Sequence, residues 1–358
     1  MKHITLQNLA RLLDALKEDY RVFVPVKKSE SANYPIKKGA QRFYKEYDKF
    51  SDDIIIGEVR TFEPLKAFFV SAREKVADDF SPESPHSKDK PFALVGVKNC
   101  DLKQGFKVQD YVFGNHDLKD PFYIKNREEN LIIASDCTST LDTCFCLAAG
   151  NQPYPEENFD INLSPVGDGF IIEAAPTRRA QKFMDKYHSL FDIAKDYHLN
   201  ERKEQRQRVV KKVEENIKEN NIPSYDTLKD DIIKKNWESN VWLDESKTCV
   251  ECAACTIICP TCHCFLLYDQ KDKEKMERLR IWDSCMIKDY ARVAGGANPR
   301  PKLWMRLRNR FEKKFDFFPK VAGFYACTGC GRCISACPAM IDIREVLTRL
   351  VKGNGKNK

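Results

Sequence analysis

Cys249-Val-Glu-Cys252-Ala-Ala-Cys255-Thr-Ile-Ile-Cys259-Pro260 is matched in pattern by Cys327-Thr-Gly-Cys330-Gly-Arg-Cys333-Ile-Ser-Ala-Cys337-Pro338. In each run three thiols are separated by two residues, so one tight loop can aim all three at a single point. A fourth thiol follows after three more residues, at the start of a helix and just before a proline. Two such runs decide how the C-terminal third of the chain is read. Its centre is built around metal-bound thiolates.

The spacing C-x2-C-x2-C-x3-C-P is that of proteins holding two four-iron clusters, in which the fourth cysteine of each run serves the other cluster. The expected ligand sets are therefore crossed: Cys249, Cys252, Cys255 and Cys337 for one cubane, and Cys327, Cys330, Cys333 and Cys259 for the other. Zinc is the competing reading, because paired C-x2-C motifs also build tetrahedral zinc sites. Four closely spaced cysteines ending in proline, twice over, favour iron and sulfide. The long segment between the runs implies an elaborated insertion, with helices expected over Asp272–Arg280 and Leu303–Phe311.

Around this centre the composition is that of an ordinary globular chain: 358 residues, 42% hydrophobic, 32% charged, net charge +7. The 22 Phe, 13 Tyr and 4 Trp supply enough burial to exclude a wholly disordered chain. No apolar run is long enough for a membrane span. No secretory signal is visible at Met1-Lys2-His3-Ile4. The 15 cysteines are odd in number and mostly clustered, which fits a reducing cytoplasm with metal-bound thiolates better than a disulfide framework.

The expected fold class is α+β, an N-terminal α/β domain followed by a mostly helical dicluster domain. Three zones are expected: 1–176 as the α/β domain, 177–246 as a charged helical linker, and 247–358 as the ferredoxin-like domain with its insertion. In the first zone Leu6, Leu9, Leu12, Leu13 and Leu16 recur at helical spacing, and 63–77 reads as helical. Arg21–Val26, Ile54–Ile56, Phe92–Val97, Leu131–Ala134 and Phe170–Ile172 have the length of buried strands. Ser81–Pro91 reads as an exposed loop. In the second zone 178–197 and 201–220 read as helices, the latter ended by Pro223.

The insertion adds Thr261-Cys262-His263-Cys264-Phe265, Trp282-Asp283-Ser284-Cys285 and Gly295-Gly296-Ala297-Asn298-Pro299-Arg300. Eight Lys/Arg lie between Arg300 and Lys320. This basic stretch is expected to be a solvated face or a docking surface for an acidic partner. No nucleic-acid reading motif accompanies it.

These motifs, with Cys-Thr-Gly-Cys-Gly-Arg-Cys at 327–333, resemble the iron–sulfur β subunits of cytoplasmic sulfhydrogenases and the A subunit of anaerobic sulfite reductase. Gly96-Val-Lys-Asn-Cys100-Asp-Leu102 is similar to that family's Gly-Val-Arg-x-Cys-Asp-Leu. Cys137 and Thr143-Cys144-Phe145-Cys146 are also family-like. The resemblance spans residues 90–348. It implies an electron relay beside a flavin- and NAD(P)-binding subunit, serving a catalytic subunit of hydrogenase, sulfite reductase or heterodisulfide-reductase-like type in a cytoplasmic, anaerobic complex.

Seven cysteines remain. Cys100, Cys137, Cys144 and Cys146 each fall at or beyond a predicted strand end, where α/β sheets place ligands. Four thiols are what a third cubane requires, so a third [4Fe-4S] cluster is expected in the N-terminal domain. Cys262, Cys264 and Cys285 are three. They could hold an open-iron site, form a redox-active thiol pair, or pack beside the nearby cubane, and packing is the expectation. The alternative function, a disulfide or sulfur-compound reductase, would use these three. His263 reads as an ordinary surface histidine or a neighbour of the cluster, with a ligand role as the alternative, and His3, His86, His116, His188 and His198 show no ligand spacing. No G-x-G-x-x-G after a strand, P-loop or G-x-S-x-G occurs, so no catalytic residue is assigned.

Overall fold

The computed structural model describes residues 1–27, 42–79, 81–82, 90–115, 119–228, 231–272 and 275–353. His86, His116 and most of the expected 81–91 loop lie outside them. The fold is α+β.

Its strands in chain order are β1 (Lys2–Thr5), β2 (Arg21–Lys27), β3 (Arg42–Glu46), β4 (Arg73–Asp78), β5 (Ser81–Pro82), β6 (Phe92–Val97) and β7 (Leu131–Ser135). They continue with β8 (Ile161–Val166), β9 (Gly169–Ala174), β10 (Asp192–Ile193), β11 (Phe265–Asp272) and β12 (Lys275–Trp282). Eight form one sheet in the order β10-β1-β9-β8-β7-β6-β2-β3. Its middle, β2-β6-β7-β8, is parallel, and the flanking pairs are antiparallel. In β6 and β7 the apolar residues run continuously because helices cover both faces. On one face the helix Leu6–Leu16, capped by Thr5, buries Leu9, Leu12, Leu13 and Leu16. On the other, the helix Asn99–Gln109 buries Leu102 and Phe106 against Leu94, Val97 and Ile132.

Four sequence expectations are corrected. Ile54–Ile56 is not a strand; only Ile54 makes a bridge to Val26, because so short an apolar run can be buried by a loop as readily as by a sheet. The 63–77 segment holds only the single turn Lys66–Phe69 before the chain extends into β4. Asp272–Arg280 is no helix: β11 and β12 form a hairpin that joins β4 in a second sheet, β11-β12-β4-β5. Its charges pair across strands, Arg278 with Asp269 at 2.7 and 2.9 Å, which masks strand alternation in the sequence. Finally, residues 178–193 do not stand apart as linker. The helix Arg178–Lys186 packs Ala180 and Phe183 into the first core, and β10 extends the main sheet, so apolar burial outweighs the charged composition.

The helix Leu303–Glu312 forms as expected. It joins Ile343–Lys352 and Val241–Ser246 around a third core centred on Trp242, Phe311, Val346 and Leu347. No helix of the described residues is long and apolar enough to cross a membrane.

Candidate metal centres

The two cysteine runs fold into the same loop. Motif positions three and five are left-handed in both: Glu251 (φ 56°) and Ala253 (φ 61°) in the first, Gly329 (φ 68°) and Gly331 (φ 69°) in the second. Each loop then enters a short helix, Ala254–Ile257 or Arg332–Ala336, and the fourth thiol, Cys259 or Cys337, falls at that helix's C-terminal end and not at a helix start as expected. Cys249, Cys252 and Cys255 line one cavity together with Cys337 of the other run. The Ile341 N–H donates to Cys337 Sγ at 3.3 Å. On the other side, Cys259 lies within electrostatic reach of Cys327 and Cys333. Cys333 lines the first cavity as well, so the two motif loops meet there.

A further cavity is lined by Cys100, Cys137, Cys144 and Cys146. The sheet explains their meeting. Cys100 and Cys137 follow the C-terminal ends of the adjacent parallel strands β6 and β7, and the β7–β8 connection brings in Cys144 and Cys146. The Leu141 N–H donates to Cys144 Sγ at 3.4 Å. Cys330 lines the same cavity, so this site abuts the second motif loop. The contact is backbone to backbone: the Phe145 N–H donates to the Gly329 carbonyl at 2.9 Å.

Cations surround these thiols. Lys314, buried, donates to Cys259 Sγ (3.3 Å), Thr261 Oγ1 (2.8 Å) and the Ala326 carbonyl (3.0 Å). Burial works against its charge, but Cys259 and Cys262 outweigh it and hold the ammonium above its ordinary range. Arg310 lines the first cavity and donates to the Cys255 carbonyl at 3.4 Å, and its Nε is buried without a partner. Arg60 lines the N-terminal cavity, and its Nη1 is likewise orphaned. Buried guanidinium donors without acceptors fit cavities made for an anionic group.

The thiols fit the same occupant. Burial pushes Cys137 up to about 11 and Cys333 up to about 12, so neither would be a reactive free thiolate. Bound to metal, a thiol is deprotonated outright. A single zinc ion fits less well. With Zn–S near 2.3 Å, its tetrahedral ligands must sit about 3.8 Å apart. Among the described residues the trio with all donor atoms within 4.8 Å of one another is His3, Asp168 and His198, which contains no cysteine. That trio unites two histidines that sequence spacing had separated. His198 Nδ1 accepts the Lys195 N–H at 3.2 Å, so its Nε2 carries the proton towards Asp168 and is not free for a metal.

Residues 248–341 match the family model described as a 4Fe-4S dicluster domain. Over 357 residues, 99% of both chains, the protein is 29% identical to sulfhydrogenase 2 subunit beta of Pyrococcus furiosus. The chain is similar along its whole length to an iron–sulfur β subunit. It is an electron-transfer protein carrying [4Fe-4S] clusters.

In this chain the basic stretch at 300–320 is only partly a solvated face: Lys302, Lys313 and Lys320 are exposed. Arg306, Arg308, Arg310 and Lys314 are buried. Arg306, Arg310 and Lys314 follow one another at four-residue spacing, the signal for one helix face. A buried Arg332–Asp101 pair, with bonds of 3.0 and 2.6 Å, ties the second motif loop to the helix that begins beside Cys100. Lys66, also buried, donates to the Thr256 and Cys262 carbonyls at 3.2 and 3.0 Å. Cys262, Cys264 and Cys285 do come together, in a cavity of their own.

Proposed function

We propose that this chain passes single electrons between a flavin- and NAD(P)-binding subunit and a catalytic subunit of hydrogenase, sulfite reductase or heterodisulfide-reductase-like type, in a cytoplasmic, anaerobic complex. The observation that carries the reading is the succession of gathered thiols: Cys249, Cys252, Cys255 and Cys337 about one cavity, Cys259 near Cys327 and Cys333, and the N-terminal four in a cavity that Cys330 also lines. Cys249, Cys252, Cys255 and Cys337 would hold one [4Fe-4S] cluster, and Cys327, Cys330, Cys333 and Cys259 the second. Cys100, Cys137, Cys144 and Cys146 would hold a third. Bound there, the clusters supply one-electron transfer, and the protein's part is to space them, exclude water and set their potentials through nearby charge. The name of the Pyrococcus relative supports a multi-subunit setting.

Anaerobic affinity capture from the native cells is expected to bring down a flavoprotein and a second redox subunit. The isolated chain should not turn over disulfides with an artificial donor. A chain that purifies alone and does reduce a disulfide would favour the reductase reading at Cys262, Cys264 and Cys285.

Two substitutions test the ligands and their surroundings. Cys259→Ser should remove the signal of the cluster held by Cys327, Cys330 and Cys333 and spare the one beside it in sequence. Electron paramagnetic resonance showing the reverse would overturn the crossed assignment. Lys314→Met removes a positive charge 3.3 Å from Cys259 Sγ. An added electron is then less favoured, and that cluster's midpoint should fall by on the order of 50–100 mV. An unchanged redox titration would show that this lysine does not tune it.

A further inference from the structure

Cys262, Cys264 and Cys285 belong to none of the three sites above, yet the fold builds their meeting. The β11–β12 register sets Phe265 opposite Trp282, and the Asp283 N–H donates to the Cys264 carbonyl at 2.9 Å. Cys264 and Cys285, at the open end of the hairpin, are thereby brought to the lining of one cavity. Thr256 Oγ1 and Ser284 Oγ, 2.6 Å apart, pin the Cys285 loop to the helix of the first motif. The Cys262 N–H in turn donates to the Cys259 carbonyl at 3.3 Å.

All three thiols face one cavity of about 290 Å³, shared with His263, Tyr290 and Lys314. The cavity is no apolar gap that the cysteines merely fill. Arg310, with its orphaned Nε, lines it too, and Tyr290 Oη donates to Cys264 Sγ at 3.7 Å. His263 supplies a further donor. Its Nδ1 can only donate to the Thr261 carbonyl, 3.1 Å away, which leaves the lone pair on Nε2. A histidine fixed through its other nitrogen by a carbonyl is the usual arrangement of a metal ligand. The three sulfurs are too widely set for one zinc ion, since no cysteine trio of the described residues lies within 4.8 Å.

We propose that Cys262, Cys264 and Cys285, with His263 Nε2 as fourth donor, hold an additional [4Fe-4S] cluster beside the one served by Cys259. The neighbouring assignment is part of the reading above, but the site itself stands on its own four residues.

The full-length chain, reconstituted anaerobically with ferrous iron and sulfide, tests it. Cys264→Ser/Cys285→Ser should lose about four irons and about four sulfides per chain and keep the resonance signals of the motif clusters. In the loaded wild type, iodoacetamide should leave Cys262, Cys264 and Cys285 unmodified until the iron is chelated. His263→Ala should keep the cluster but release about one iron on mild oxidation, giving a three-iron signal that the wild type lacks. Alkylation of the three thiols in loaded protein without loss of iron would overturn the site, even if the double variant failed to fold. Retention of all four irons by oxidised His263→Ala would remove His263 from the ligand set. Loss of iron from Cys144→Ser/Cys146→Ser reports on the N-terminal site alone, so failure there is distinguishable from failure here.

Discussion

Asp101→Asn is expected to lower the melting temperature of the full chain by on the order of 6–20 °C. The carboxylate accepts both terminal nitrogens of Arg332 and the Leu65 N–H at 3.2 Å, and Asp101 and Arg332 are both buried. Removing one partner leaves the guanidinium without its counter-charge. Breaking a buried pair in this way costs about 3–5 kcal/mol, and for domains of this size each kcal/mol moves the midpoint by roughly 2–4 °C. The pair also spans the two regions, from the segment beside Cys100 to the loop between Cys330 and Cys333. Asp101→Asn should therefore weaken the junction of the N-terminal cavity with the motif loops as well as the fold. The double variant Asp101→Asn/Arg332→Gln, which leaves no orphaned charge, should recover most of the loss. Matched thermal melts under anaerobic conditions decide it: if Asp101→Asn melts with the wild type, the pair is not a structural tie.

What could be read in the sequence follows how local each signal is. The eight motif cysteines are set by spacing inside two twelve-residue runs, so their pattern is local to the sequence. The N-terminal cysteines were legible at one remove. Strands Phe92–Val97 and Leu131–Ser135 announce themselves as unbroken apolar runs, and the positions just beyond them follow from the rule for parallel sheets. The hairpin 265–282 was not legible, because its pairing partner, Arg73–Asp78, lies far away in the chain and its exposed face is charged. Nor was the direction of Arg306, Arg310 and Lys314. Charge in a helix ordinarily means solvent, and only the presence of anionic groups inside the protein reverses that expectation. The four-residue spacing was visible; what it faced was not.

Gly331→Ala should disturb the protein more than its single added carbon suggests, and the first motif loop shows why. Both loops need a left-handed residue at this position, and in the first it is Ala253, at φ 61°. The conformation itself therefore tolerates alanine at a cost of about 1–2 kcal/mol. At Gly331, however, a β-carbon would stand 2.0 Å from the Thr143 carbonyl oxygen and 2.6 Å from its carbon. Those atoms are backbone, next in chain to Cys144, and cannot rotate away. The loop and the Cys144–Cys146 segment must separate, and overpacking of this kind adds roughly 1–3 kcal/mol. The separation falls where Cys330 meets the N-terminal cavity, so Gly331→Ala should lower bound iron as well as stability. Ala253→Gly is the internal control: with relief of strain and no such neighbour, it should be neutral or stabilising by about 1 kcal/mol. Iron content and thermal melts of the two variants, measured side by side, separate the causes. Equal and opposite effects would mean that backbone strain alone governs both loops. A much larger loss at Gly331 would mean that close contact with Thr143 is what joins the motif loop to the N-terminal site.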